Sequence, residues 1–315
     1  MANFRLLHIT DLHIAVPPSD NDYGQQTFWE SREYIYPSRA NGYVLEAVAE
    51  FLSRQRNETD LVLISGDVAD DGVQRNLDKA FRFITNPATR DWFVEPFEPT
   101  LDAGREGGPP FFITPGNHDR FQIPGRRPGG TGFDKTFGSY WQVGLGGVQS
   151  VLLEKSDSKL ALIAADFCLQ RLSAIGYLGQ GYAYQKVITA LVDETIKIKA
   201  SNPGVGVVWI SHFPPLLDVD ISLKLLKPER LLNAATENGV RYVVAGHLHR
   251  NQINTYSDVE IVCTGTAASN SYKIGDLHGF WIQKLDVGVE STGVVSMDLT
   301  KFRYRPVECA FVEQK

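Results

Sequence analysis

Phe4-Arg5-Leu6-Leu7-His8-Ile9-Thr10-Asp11-Leu12-His13 is an apolar run that stops abruptly at a carboxylate and an imidazole. Leu61-Val62-Leu63-Ile64-Ser65-Gly66-Asp67 repeats the arrangement, with a glycine before the carboxylate. Phe111-Phe112-Ile113-Thr114-Pro115-Gly116 leads into Asn117-His118-Asp119, Val205 to Ile210 into Ser211-His212, and Arg241 to Ala245 into Gly246-His247-Leu248-His249. Continuous apolar strands suit a sheet covered on both faces, whereas strict alternation suits a half-exposed one. In open sheets with helical connections, ligands gather at the carboxyl ends of strands, which is where these polar clusters fall.

The segments between the strands fill in the architecture. Val44 to Leu52, Val73 to Ile84 and Pro228 to Glu237 carry helical spacing, and Pro228 suits a first helical turn. Val151 to Glu154 and Leu160 to Ala164 flank a Lys-Ser-Asp-Ser-Lys turn and predict a hairpin. The segment 251–315 reads as strands with little helix, and it is a candidate surface for homo-oligomer formation. We expect one domain over residues 1–315, made of two packed sheets with helices outside. Two long loops, 16–39 and 120–150, interrupt it close after the motifs and could wall a site. In the second loop Phe133, Phe137, Tyr140 and Trp141 are expected to anchor the chain, and Arg126 and Arg127 to be solvated.

Composition excludes several classes. The formal net charge of −6 and the lack of a Lys/Arg stripe argue against a nucleic-acid partner. No apolar stretch is long enough for membrane insertion, and no secretory signal is expected, because the first strand already begins at Phe4. Cys168, Cys263 and Cys309 are widely spaced and are expected to be buried small residues. A cytoplasmic location is the simplest expectation.

Five of the seven histidines lie in the polar clusters. His8 and His278 stand outside them and are read as structural. Side chains two apart on a strand share a face, so Asp11 can aim with His13, and His247 with His249. Imidazoles, carboxylates and one amide from five strand ends suit a shared cage for two metal ions. Phosphate-loop, nucleophile-elbow, HExxH and dinucleotide-fingerprint motifs are absent from the sequence.

The ordered set of Asp-x-His, Gly-Asp, Gly-Asn-His-Asp, a lone His and Gly-His-x-His resembles the calcineurin-like metallophosphoesterases. The resemblance implies an α/β (α+β) fold, a four-layer αββα sandwich of two mixed sheets flanked by helices. It implies that Asp11, His13, Asp67 and His249 hold one metal, and Asp67, Asn117, His212 and His247 the other, with Asp67 bridging. The cofactors would be two divalent or mixed-valence ions, with Mn, Fe, Zn and Co all compatible with mixed N/O ligands. Two divalent ions, two carboxylates and a bridging hydroxide leave about one positive charge, suited to an anionic phosphate ester. By the same resemblance, in-line attack by metal-activated water is the reaction, and His118 touches the substrate, with Asp119 orienting its ring.

Ser211-His212-Phe213-Pro214-Pro215 resembles the His-x-Pro-Pro pattern of bacterial class III cyclic-nucleotide phosphodiesterases and related phosphohydrolases. That makes a small phosphodiester, of cyclic-nucleotide or glycerophosphodiester type, the expected substrate. Phe213 stands where that branch often has a second histidine, and the 120–150 loop is longer than in a minimal member. Phosphomonoesterase, nuclease and non-catalytic metal-binding scaffold are the alternatives.

Overall fold

The computed structural model describes residues 2–15, 40–85, 110–121, 129–168, 179–269 and 279–314. The expected loop 16–39, Arg126, Arg127 and His278 lie outside them. The strands, in chain order, are β1 (Ala2–Ile9), β2 (Leu61–Ile64), β3 (Phe111–Ile113), β4 (Val148–Lys155), β5 (Ser158–Ala165), β6 (Gly181–Tyr182) and β7 (Gly206–Ser211). They continue as β8 (Leu225–Leu226), β9 (Tyr242–Ala245), β10 (Gln252–Tyr256), β11 (Val259–Cys263), β12 (Trp281–Val289), β13 (Val295–Arg305) and β14 (Ala310–Gln314).

Two six-stranded mixed sheets result, ordered β14-β13-β12-β1-β2-β3 and β10-β11-β9-β7-β5-β4. β1, β2 and β3 run parallel, and so do β5, β7, β9 and β11. Every motif named above follows one of these parallel strands. The C-terminal segment contributes to both sheets: β10 and β11 complete one, and β12 to β14 the other.

The period of two along a strand divides the core. On β5, Leu160, Leu162 and Ala164 pack towards the first sheet, together with Val208, Ile210 and Val244. Ala161, Ile163 and Ala165 face the other way, with Val207, Trp209 and Val243. This second face is covered by Val187, Ile188 and Leu191 of the Gln185–Ser201 helix and by Leu231, Leu232 and Ala235 of the Pro228–Glu237 helix. The first sheet is covered by the Gly42–Gln55 and Gln74–Thr85 helices. The order is therefore helix, sheet, sheet, helix, as expected.

Val44, Ala47, Val48, Phe51 and Leu52 form the apolar stripe of the Gly42–Gln55 helix, and Asn41 caps it by accepting from Tyr43 and Val44 N–H. The Gln185–Ser201 helix was not anticipated, although Val187, Ile188, Leu191 and Thr195 carry helical spacing. In the described part of the 120–150 loop, Phe133, Phe137 and Trp141 are buried, so the aromatic residues do anchor it. Cys168 and Cys263 are buried as expected, but Cys309 is exposed in the turn between β13 and β14. A short turn on a sheet edge has no interior to receive a side chain. Among the described residues, no helix is long and apolar enough to cross a membrane.

Leu162 sits fully buried between the sheets. Leu162→Ala should cost about 2–5 kcal/mol, seen as a lower urea midpoint at unchanged slope. A loss well under about 1 kcal/mol would mean that the sheets are not packed through this residue.

Candidate metal centre

The carboxyl ends of β1, β2 and β3 in one sheet, and of β7 and β9 in the other, converge. β1 is followed by Asp11 and His13, β2 by Asp67, β3 by Asn117 to Asp119, β7 by His212, and β9 by His247 and His249. The spacing argument for Asp11 with His13, and for His247 with His249, needs correction. These residues lie beyond the strands, and their backbones are left-handed, with φ of 54°, 48°, 68° and 52°. Asp67 joins them at 51°. What aims the pairs is thus a turn geometry, not the pleat. Each left-handed non-glycine residue costs roughly 1–2 kcal/mol, least for Asp, Asn and His. Hydrogen bonds hold these loops: Asp11 N–H donates to Gly66 O at 3.0 Å, His13 N–H to Asp67 O at 3.0 Å, and Ile14 N–H to Val68 O at 2.9 Å.

Two glycines are required by crowding. A Cβ on Gly66 would lie 2.7 Å from Gly116 N and from His212 Nδ1. One on Gly116 would overlap the Asp67 carboxylate.

Among the described residues the side chains form three groups able to hold an ion, Asp11–His13–His249, Asp67–His212–His247 and, sharing His13 with the first of these, His13–Asp70–His118. In the first, Asp11 Oδ1 lies 3.2 Å from His249 Nε2 and 3.8 Å from His13 Nε2, and the two Nε2 atoms are 3.3 Å apart. In the second, His212 Nε2 lies 3.2 Å from Asp67 Oδ2 and 3.2 Å from Asn117 Oδ1. Asp67 Oδ2 is also 3.7 Å from His13 Nε2, which places this carboxylate between the groups. Backbone carbonyls set two ring orientations. His212 Nδ1 donates to Ser65 O at 2.8 Å, leaving Nε2 facing inward, and His247 Nε2 lies 3.1 Å from Leu223 O, leaving Nδ1.

Asp11 Oδ1 is buried without a well-formed hydrogen bond, although imidazole nitrogens surround it. Ligands about 2.0–2.2 Å from one ion stand about 3.0–3.5 Å apart, close to the separations seen here. The mixed N/O donor set therefore fits metal ions.

His118 stands beside His13, and Asp119 is placed differently from expectation. His118 Nδ1 meets the backbone oxygen of Asp70 at 2.6 Å, and its ring stands edge-on to His13 at 4.5 Å. The Asp119 carboxylate instead accepts from the backbone N–H groups of Gly116, Ala69 and Val68 at 2.9, 2.9 and 3.3 Å. Its physical role is to staple the loops after β2 and β3 together, so the expectation that it orients the His118 ring is not met. Asp70, not singled out from the sequence, has that place, and its Oδ1 lies 3.6 Å from His13 Nδ1. Thr266 is a second unforeseen residue, donating from Oγ1 to Asp11 O at 2.6 Å. Asp70 lies three residues after Asp67, but nothing in the sequence marks Thr266. His8, read as structural, is buried on β1 with Nε2 2.8 Å from Ser65 Oγ.

Electrostatics follow from burying charge. Burial would lower the pKa of His13, but pairing with Asp11 and Asp70 and the charge of Asp67 push it up to about 9. Burial is likewise outweighed at His212, where Asp67 and Asp11 push the imidazole up to about 9. Burial opposes ionisation of Asp11 and Asp67, yet the surrounding imidazoles hold both below the usual carboxylate range. His247 is pushed down to about 3, by burial first and then by the charge of His212. Asp119 is pushed up to about 7 by burial and the charge of Asp67.

The calcineurin-like phosphoesterase family model matches residues 4–251, and the chain belongs to that family. Membership implies a phosphoester hydrolase. Among solved structures, a dimetal phosphatase from Danio rerio is similar with a TM-score of 0.55 at 12% identity, covering 96% of this chain and 99% of its own. TT1561 of Thermus thermophilus is similar with a TM-score of 0.48 at 9% identity, covering 94% of this chain and 99% of its own. At 12% identity the likeness to the dimetal phosphatase is one of fold. No curated protein matches the sequence significantly.

After chelation, the folded chain keeps protons on His13 and His212 up to about pH 9, whereas free imidazoles lose them near 6.5. The fold then binds more protons than the unfolded chain, so stability falls as pH rises. This stabilisation is complete below about pH 6.5 and gone above about 9. Asp11 and Asp67 have the opposite sign, and their contribution is lost only as pH falls below the usual carboxylate range. The Tm of EDTA-treated protein should therefore fall from pH 6.5 to 9, and a flat or rising Tm would contradict these pairings.

Proposed function

We propose that the chain is a dinuclear-metal-dependent phosphoesterase, built as one domain, that hydrolyses small phosphodiesters. Asp11, His13, Asp67 and His249 hold one ion, and Asp67, Asn117, His212 and His247 the other. The supporting observation is the pair of neighbouring groups, buried except for the partly exposed His249, with the Asp67 carboxylate between them. Such ions, drawn from Mn, Fe, Zn and Co, would supply Lewis acidity and lower the pKa of a water towards neutrality.

The residues of the chain do the rest. Four imidazoles and one amide leave the cage carrying few negative charges, which favours an anionic ester over a neutral one. His118 stands beside His13 and is not one of the proposed ligands, although with His13 and Asp70 it forms a further group able to hold an ion. With Nδ1 donating to Asp70 O, Nε2 is the nitrogen that hands a proton to the leaving oxygen. The Ser211-His212-Phe213-Pro214-Pro215 motif favours a diester of cyclic-nucleotide or glycerophosphodiester type. Phosphomonoesters are the second substrate class, and the fold shared with a dimetal phosphatase is the reason to include them.

The test is a panel of cyclic nucleotides, glycerophosphodiesters and phosphomonoesters offered to Mn-loaded protein. Preference for a diester is expected, preference for monoesters overturns the substrate class, and metal uptake without hydrolysis supports a scaffold. His118→Ala should retain metal and lose about 10²–10⁴ in kcat on a diester with a poor leaving group. An unchanged rate on that substrate would remove His118 from the chemistry.

A further inference from the structure

Beside the candidate centre lies a charge cluster that the proposed mechanism does not use. Arg120 follows His118 and Asp119 and is fully buried. Its Nε donates to Asp166 Oδ2 at 3.1 Å, and Nη2 lies 2.9 Å from the same oxygen. Nη1 donates to Asp134 Oδ2 at 2.7 Å and to Gly130 O at 3.1 Å. The guanidinium also stands 5.5 Å from the ring centroid of Phe133.

The partners come from distant parts of the fold. Asp166 directly follows β5, whose Ala165 is in register with Ser211, the neighbour of His212. Asp166 is itself fixed by accepting from Cys168 and Gly146 N–H at 2.8 and 3.1 Å. Asp134 belongs to the short Gly132–Thr136 helix within the 120–150 loop. One buried cation thus ties the loop that carries Asn117 and His118, in the first sheet, to a strand end of the second sheet. It also ties both to the long loop.

A buried arginine with two carboxylates is poor value as stabilisation, because desolvation offsets most of the attraction. Its planar fork does fix direction, which a lysine's point charge does not. His118 N–H donates to Asp67 Oδ1 at 2.8 Å, so the segment being fixed is the one that reaches the bridging carboxylate.

We propose that Arg120, clamped between Asp166 and Asp134, is a positioning residue that sets His118 against the substrate and couples it to the 129–150 segment. The kinetic arm rests on the phosphoesterase reading above, and the exchange arm does not. Arg120→Lys and the milder Asp134→Asn, whose carboxylate is partly exposed, are compared in the wild-type and His118→Ala backgrounds.

On a diester with a poor leaving group, each variant should lose about tenfold in kcat, with KM and metal content within about twofold. In the His118→Ala background the further loss should be under about twofold, because the positioned group is gone. Equal losses in both backgrounds, or losses confined to KM or metal content, overturn the proposal. In parallel, hydrogen exchange of the 116–120 amides should quicken about tenfold in the variants, while that of β7 stays unchanged. Unchanged exchange at 116–120, or quickening throughout, also overturns it. If wild-type protein hydrolyses no phosphate ester, the functional reading fails and the exchange arm still decides the clamp. If Arg120→Lys does not fold, Asp134→Asn carries both arms.

Discussion

Two carboxylates, Asp11 and Asp67, are buried where the strand ends of two sheets meet, and the burial of their charge shapes what surrounds them. An ionised carboxylate taken out of water without partners is costly enough that it would neutralise instead. Here Asp11 accepts from Thr10 Oγ1 and from His247 N–H at 2.8 and 2.9 Å, and Asp67 accepts from His118 N–H. Imidazoles supply the remaining compensation. The crowding at Gly66 and Gly116 and the left-handed backbones nearby follow from bringing so many partners to two points.

Each sheet supplies only part of the constellation. Asp11, His13, Asp67 and Asn117 come from one, and His212, His247 and His249 from the other. The site therefore exists only when the sheets are packed, through residues such as Leu162 and Ile210. β10 to β14 widen both sheets without carrying any candidate ligand, while Thr266, between β11 and β12, reaches the backbone of Asp11 directly.

Much of this is legible in the sequence, for a physical reason. Strands buried on both faces are continuous apolar runs, and a glycine followed by Asp, Asn or His marks where such a run must turn sharply. The order of those motifs identifies both fold and family. Side-chain direction is less legible. Spacing of two correctly pairs Asp11 with His13, but for the wrong reason, since strand geometry has ended before either residue. Asp119 looks like a partner for its neighbour His118, yet loop curvature turns its carboxylate towards backbone N–H groups. Asp70 and Thr266 matter through contacts set by tertiary packing. Arg120 reads as an ordinary charged residue because its two carboxylates lie 14 and 46 positions away. The Gln185–Ser201 helix carries its spacing only in Val187, Ile188, Leu191 and Thr195, a weak apolar stripe.

The left-handed turns at Asp11, His13, Asp67, His247 and His249 bear on how this site could change over evolutionary time. Aspartate, asparagine and histidine are the non-glycine residues that adopt this backbone most readily, and they are also competent metal ligands. A conformational filter and a chemical filter thus admit nearly the same amino acids. Glutamate or cysteine could coordinate a metal, but at these positions the main chain would oppose them before coordination chemistry was tested. Variation is channelled away from the candidate ligands and towards the surrounding loops, so new specificities can arise while these positions stay almost frozen.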